Sequence, residues 1–259
     1  MSKILCIDIE TSPNLAHVWQ LWKTNVYPKM ILEPSDILGF AWGEYDPLSD
    51  RPVAKRSIQW VSRWDGERAM LDQAHEVLDQ ADIVLTKNGK RFDVPRLKTA
   101  LALHEYDPPK PFRQIDLEEV CKRTFSFPSH SLDYVCKQFG LGGKVGNEAG
   151  YSLWREAMSG DAQSRAKMGA YCRHDVWLTI ELYRRVRPWI ERHPNVAADM
   201  THPALRCPKC GHMQLVRDGM AYTSVSTYQR WKCVHCGNRA IRGTARLNRG
   251  GIGITEAGS

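Results

Sequence analysis

Ile4-Leu5-Cys6-Ile7-Asp8-Ile9-Glu10 is an apolar run that ends in two carboxylates. A run of this length, bounded by polar residues, reads as a strand buried on both faces. Side chains alternate along a strand, so Asp8 and Glu10, two apart, point the same way. Like charges this close repel, and burying them unpaired costs on the order of several kcal/mol. A hard divalent cation between them removes that cost. A strand end with both carboxylates in solvent is the plain alternative, and this stretch alone leaves both readings open.

Working outward, Thr11-Ser12-Pro13 is a turn signal that closes the strand. Residues 14–35 read as irregular and carry Trp19, Trp22 and Tyr27. Residues 36–45 read as a second strand and 53–60 as a third, joined by a turn through Asp46-Pro47 as an antiparallel hairpin. Aromatic rings near paired carboxylates can stack on unpaired bases. Filling a core is the commoner use, and most of these rings are read as core.

Met70, Leu71, Ala74, Val77 and Leu78 recur at helical spacing, and a short buried strand follows at 82–86. It leads into Asn88-Gly-Lys-Arg-Phe-Asp93-Val-Pro95, where Asn-Gly makes a turn and Pro95 suits the first turn of a helix over 94–104. Asp93 thus stands at a strand-to-helix junction, a favoured place for active-site residues in α/β proteins. A helix N-cap is its other reading. Residues 113–116 suggest a strand and 117–124 a helix, with Asp116 as N-cap. An amphipathic helix over 131–139 precedes Gly140-Leu-Gly-Gly-Lys-Val-Gly146. That stretch lacks the phosphate-loop spacing and is read as a loop. A long helix from about 161 to 187 places Tyr171, Asp175, Leu178 and Leu182 on one face. Asp175 therefore faces the core side, where Asp8, Glu10 and Asp93 can converge. A structural hydrogen bond from Tyr171 to a neighbour is the simpler alternative for that residue.

The chain of 259 residues is 42% hydrophobic and 25% charged, which suits one sizeable domain plus a small one. No run approaches the ~18 apolar residues of a membrane span, and no basic-plus-apolar leader opens the sequence. The expectation is a soluble, cytoplasmic protein without a membrane partner. Cys6, Cys121, Cys136 and Cys172 lie inside apolar patterns and read as small core residues. Cys207-Pro-Lys-Cys210-Gly and Cys233-Val-His-Cys236-Gly, 22 residues apart, have the form of two zinc knuckles around one structural Zn²⁺. Residues 1–194 carry 27 Lys/Arg against 26 Asp/Glu, whereas 195–259 carry nine against three. The positive charge is thus concentrated at the C-terminal end, which favours a polyanionic partner there. Arg217, Arg230, Lys232, Arg239 and Arg242 are the candidate nucleic-acid contacts.

Asp8-Ile-Glu10-Thr, Asn88-Gly-x-x-Phe-Asp93 and Tyr171-x-x-x-Asp175 together resemble the three motifs of the DEDD 3′→5′ exonucleases, in their tyrosine subclass. Ser131-Leu-Asp-Tyr-Val, Gly142-Gly-Lys144 and Tyr171-Cys172 are similar to the proofreading exonuclease domain of family B DNA polymerases. The resemblance covers about residues 1–190. It implies an α/β, RNase H-like fold: a mixed five-stranded sheet flanked by helices, here with a small zinc-ribbon domain added. It also implies two Mg²⁺ or Mn²⁺ held by Asp8, Glu10, Asp93 and Asp175, and a water oriented by Tyr171. Phosphodiester hydrolysis needs an activated water and stabilised charge on the phosphate and leaving oxygen, which two divalent ions ~4 Å apart supply. With a pKa of about 10, Tyr171 is a poor base at neutral pH.

The expected organisation is an exonuclease domain at 1–193, a linker at 194–206, a zinc ribbon at 207–242 and a flexible basic tail at 243–259. No polymerase domain follows in this sequence, so a stand-alone enzyme acting on DNA rather than RNA is expected. The ribbon would contact nucleic acid or a replication or repair protein. The 12–60 insertion departs from the family and leaves specificity open. A structure-specific endonuclease or resolvase on the same fold, and an inactive nucleic-acid-binding protein, are the alternatives. Four mutually repelling carboxylates argue against the inactive protein.

Overall fold

The computed structural model describes residues 2–144, 150–198, 205–224, 226–239 and, for the backbone, 241–246. The chain forms two compact units, Lys3–Tyr45 with Pro52–Leu182, and Tyr183 onward with Ser2 and Asp46–Arg51.

In the larger unit β1 (Ile4–Thr11) lies mid-sheet. A small two-stranded pair follows, β2 (Leu15–Ala16) with β3 (Ile31–Glu33), and then β4 (Ile37–Tyr45) and β5 (Gln59–Ser62). Next come α1 (Glu67–Gln80), β6 (Ile83–Thr86), α2 (Asp93–Leu103), β7 (Arg113–Asp116) and α3 (Leu117–Thr124). Three helices complete the unit: α4 (Leu132–Gln138), α5 (Gly150–Met158) and α6 (Ala162–Val186), whose last turn enters the smaller unit. The sheet order is β5-β4-β1-β6-β7. β1 pairs antiparallel with β4 and parallel with β6, so this is the mixed five-stranded sheet that the resemblance implies.

The period of two along β1 sorts its residues. Leu5, Ile7 and Ile9 pack with Met70, Leu71, Ala74 and Leu78 of α1 and with Val94, Leu97 and Leu101 of α2. On the opposite face Cys6 meets α6, donating from its thiol to the Val176 carbonyl. Asp8 and Glu10 share that face, and α6 runs over it. Both faces of the strand are covered, as its unbroken apolar run predicts.

Four features differ from the sequence reading. The third strand begins at Gln59 rather than at 53, because Pro52 and a 3-10 turn at Lys55–Ser57 interrupt the extended chain. The connection from β4 is therefore a long loop rather than a tight hairpin turn. Helix α5, not anticipated, buries Leu153 and Ala157, spaced i, i+4. Phe40 and Tyr45 are core, as expected, but Trp19, Trp22 and Tyr27 are exposed. The tail expected from Gly243 overlaps a last strand that continues to Arg246, where Ala245 pairs with Tyr228 and Arg246 with Thr227, and the rest of that stretch lies outside the described residues.

The smaller unit is a three-stranded antiparallel sheet of β8 (Leu215–Tyr222), β9 (Thr227–Cys233) and β10 (Ile241–Arg246), with β9 in the centre. Its knuckles sit against the last turn of α6 and the 46–51 loop. Asp50 accepts from Arg184 and from the buried Arg187, His235 approaches the same carboxylate, and Lys209 donates to the Pro188 carbonyl. Val196, in the stretch read as linker, is buried and exchanges backbone hydrogen bonds with Ser2 and Pro208. Among the described residues no helix is long and apolar enough to cross a membrane.

Candidate active site and zinc-type centre

The end of β1 gathers the carboxylates. Ligand atoms of Asp8, Glu10 and Cys172 lie within 4.8 Å of one another. Asp93 joins from the first turn of α2, accepting the Ile9 backbone N–H at 3.0 Å, between the two β1 carboxylates. It is not an N-cap: Phe92 holds that position and the Asp93 side chain turns inward.

The turn before α2 makes this possible. Asn88 takes a positive φ of 70°, and a Cβ on Gly89 would stand 2.8 Å from an Asp93 carboxylate oxygen. Asp116 caps α3 through the Glu118 N–H and also accepts from the Asn88 and Lys90 N–H groups, fixing the turn.

From α6, Asp175 is buried and Tyr171 half-buried, one helical turn apart. Lys144 donates to the Asp175 carboxylate and, at 3.0 Å, to the Tyr171 hydroxyl. Its loop is held from both sides, since Asp133 accepts the Lys144 N–H and His174 hydrogen-bonds the Gly143 carbonyl. Cys172 donates to the Asp8 backbone and carboxylate oxygens. The Trp154 side chain hydrogen-bonds Glu10, and its ring meets the Tyr171 ring edge-on at 5.8 Å.

The electrostatics follow from burial and crowding. Burial, then the charges of Asp93, Glu10 and Asp175, hold the Asp8 carboxyl well above the usual range. Burial and Asp175 push Glu10 to about 8, and burial pushes Asp93 to about 6. Burial also raises Asp175, although Lys144 works against it. Burial opposes the charge on Lys144, but Asp175 outweighs it and keeps the ammonium firmly protonated. Burial likewise raises Tyr171, which stays a phenol at neutral pH.

This donor set fits divalent cations. Carboxylates that resist ionisation because they face each other need positive charge, and the buried Asp175 Oδ1 has no hydrogen-bond partner among the described residues. Asp8, Glu10, Asp93 and Asp175, the predicted set, are thus brought to one place. Sequence reading gives no site role to three neighbours: Lys144 and Cys172, which enter only through the family resemblance, and Trp154, on the unanticipated helix. For Cys172 a signal was present, since it lies three residues before Asp175 on the same helical face.

In the smaller unit Cys207, Cys210, Cys233 and Cys236 are buried, with ligand atoms within 4.8 Å of one another. Cys207 and Cys236 sulfurs lie 3.6 Å apart, as do those of Cys210 and Cys233. Gly211 and Gly237, which follow the second sulfur of each knuckle, take φ of 77° and 76°. Four cysteine sulfurs facing one point fit a structural Zn²⁺. Of the candidate nucleic-acid contacts, Arg217 is exposed, 6.0 Å from the Trp231 ring. Arg230 and Arg239 both reach Asp218, at 3.3 and 3.7 Å. Lys232 is half-buried on β9 opposite Val216, and Arg242 pairs by backbone with Arg230, its side chain outside the described residues.

A nuclease-type α/β domain is the class that this sheet and its carboxylates define. The model of the RNase H superfamily matches residues 52–187, more than half of the chain, and the chain belongs to that superfamily. It is 35% identical over 65 residues to the DNA polymerase delta catalytic subunit of Schizosaccharomyces pombe; the match covers 25% of this chain and 6% of that subunit. A family B DNA polymerase from the archaeon Pyrobaculum calidifontis aligns in structure with a TM-score of 0.49 and 17% identity, over 73% of this chain and 25% of that one.

Proposed function

We propose that this protein is a stand-alone, metal-dependent 3′→5′ exonuclease that hydrolyses DNA. The observation that carries the reading is the set of Asp8, Glu10, Asp93 and Asp175 at one strand end, with Tyr171 and Lys144 beside Asp175. The local likeness to a DNA polymerase subunit supports DNA as the polymer. In this reading the four carboxylates hold two Mg²⁺ or Mn²⁺ ions. Bound there, the ions supply the charge that activates water and offsets the phosphate's negative charge.

The chain's own residues do the rest. Tyr171 accepts from Lys144, so its own O–H is free to hold the attacking water. Being a phenol with a raised pKa, it orients that water and takes no proton. Lys144 places a permanent positive charge where negative charge grows on the phosphate. Trp154 and the Ile9 N–H fix Glu10 and Asp93 respectively, so that both carboxylates are held before substrate arrives. The zinc ribbon serves as a second hold on nucleic acid or on a replication or repair protein.

Digestion of 5′-labelled and 3′-labelled DNA and RNA oligonucleotides with Mg²⁺ or Mn²⁺ tests this, with Asp175→Asn as the inactive control. A ladder retreating from the 3′ end, on DNA, is expected. Cutting of a closed circular single strand would place the protein among endonucleases instead, and binding without cutting would make it an inactive nucleic-acid-binding protein.

A further inference from the structure

Between β1 and β4 the chain makes an excursion, residues 12–35, that begins two residues after Glu10 and ends two residues before Ile37, the strand partner of Thr11. Its neck is tightly tied. Ser12 N–H donates to the Asp36 carbonyl, Ser35 Oγ to the Ser12 carbonyl, and Ser35 N–H to the Asn14 side chain. Beyond the neck, Trp19 is 98% exposed, Trp22 84% and Tyr27 64%. Among the described residues no ring contact or side-chain hydrogen bond engages any of the three. Leu15, Leu21 and Leu32 of the same excursion are exposed too, and folding gains nothing from leaving so many large apolar side chains in water, so the excursion marks a contact surface.

Charge identifies what touches it. Residues 12–35 contain Lys23 and Lys29, both exposed and outside any described ion pair, against the single carboxylate of Glu33. At the neck a cleft of about 360 Å³ opens between the returning chain and α2, lined by Ser35, Ile37, Arg91, Phe92, Arg96 and Leu103. The Arg96 guanidinium lies over the Phe92 ring at 5.3 Å and donates to the Ser35 carbonyl. The one acidic group on this wall, Asp36, is neutralised by Arg63. Exposed flat rings and two lysines on the excursion, with a cleft at its neck whose Arg91 and Phe92 directly precede Asp93 in the chain, suit a flexible polyanion that carries its own flat rings.

We propose that the 12–35 excursion is a stacking arm for single-stranded nucleic acid, on which unpaired bases rest while the strand's end lies at the carboxylates. The proposal rests on the nuclease reading for where the strand ends, and not for the arm's own affinity. The arm favours single strands over duplex, because a paired base has no free face to offer. Each ring contributes separately, and the lysines add a salt-dependent part.

The test uses the full chain with Ca²⁺ in place of Mg²⁺, so that binding is read without cutting. A labelled short oligothymidylate is titrated against the parent, Trp19→Ala, Trp22→Ala, the double variant, and Lys23→Ser combined with Lys29→Ser. Each lost ring should weaken binding about tenfold, and the lysine pair should flatten the salt dependence. Hydrolysis of thymidine 5′-(p-nitrophenyl phosphate), which is too small to reach the arm, should be unchanged in all of them with Mg²⁺ or Mn²⁺. Equal strand affinity in parent and ring variants overturns the arm. Loss of parent self-association in the ring variants at unchanged strand affinity also overturns it and makes the surface a dimer contact. If the arm variants bind weakly while the parent hydrolyses nothing, the arm stands and the nuclease reading fails.

Discussion

Replacing Glu10 by glutamine should stabilise the protein whenever Mg²⁺ and Mn²⁺ are absent. In the fold its carboxyl titrates at about 8, against an ordinary 4.5, because it is buried and faces Asp175. Between pH 4.5 and pH 8 the folded protein therefore binds a proton that the unfolded chain has released. Stability then falls as pH rises through that window. At pH 8, the folded midpoint, the difference corresponds to about 4 kcal/mol against folding, rising to about 5 at higher pH. Glutamine keeps the shape and can still accept from Trp154, but it carries no charge. We expect a gain of about 3–5 kcal/mol at pH 8, which for a chain of this size is on the order of 10 °C in Tm. The gain should vanish towards pH 4.5, where Glu10 is protonated in both states. The assay is thermal melting from pH 4.5 to 8, after dialysis free of Mg²⁺ and Mn²⁺ but without chelator, so that the Zn²⁺ expected at the four cysteines is not stripped. Millimolar Mn²⁺ should reverse the order, since only the parent holds its full ligand set and gains from binding. Parallel melting curves for the two proteins across this pH range would refute the reasoning.

Tyr171→Phe removes the hydroxyl proposed to hold the water, and single-turnover cleavage should slow about 10- to 100-fold while oligonucleotide affinity in Ca²⁺ stays unchanged. Trp154→Phe keeps a ring against Tyr171 but removes the donor to Glu10, so calorimetry should show about tenfold weaker Mn²⁺ binding with the melting temperature little changed. Lys144→Ala should move two readouts oppositely, with tighter Mn²⁺ binding because a competing cation is gone and slower cleavage because the phosphate has lost one. Arg217→Ser with Lys232→Ser should lower the salt dependence of DNA binding by about 1 to 2 in the log–log slope, and an unchanged slope would remove the ribbon from the nucleic-acid interface.

Much of the site could be read from periodicity. Alternation along β1 paired Asp8 with Glu10, and a helical turn joined Tyr171 to Asp175, because both relations are local. Asp93 was visible as a strand-to-helix junction. What was hidden depends on tertiary contact. Lys144 belongs to a glycine-rich loop without periodicity, and only Asp133 and His174, from two separate helices, bring it to Asp175. Trp154 reaches Glu10 from a helix of nine residues, too short to stand out in the sequence. Trp19 and Trp22 are exposed where the sequence favours core, because composition says that a ring is apolar, not whether a neighbour covers it. The ribbon's cysteines were plain from spacing. The tethering of its arginines to Asp218 was not, since one carboxylate serves both Arg230 and Arg239.

The charges at the carboxylate edge constrain how the site fills. Fully ionised, four carboxylates against Lys144 leave three negative charges, and the raised values of Glu10 and Asp93 show that the metal-free fold retains protons to avoid that state. A first divalent ion must displace protons to bind, so its affinity rises with pH. On the proposed reading, one ion would leave the edge with a negative charge that repels a phosphodiester, and a second would turn the balance to a single positive charge, which one phosphodiester would cancel. Lys144 supplies that last unit: without it, two ions would only neutralise the carboxylates, and the phosphate would enter a site with no charge to meet its own. Its ammonium already lies on Asp175 and Tyr171, so the same residue that steadies the edge before metal arrives is in place to attract the substrate afterwards.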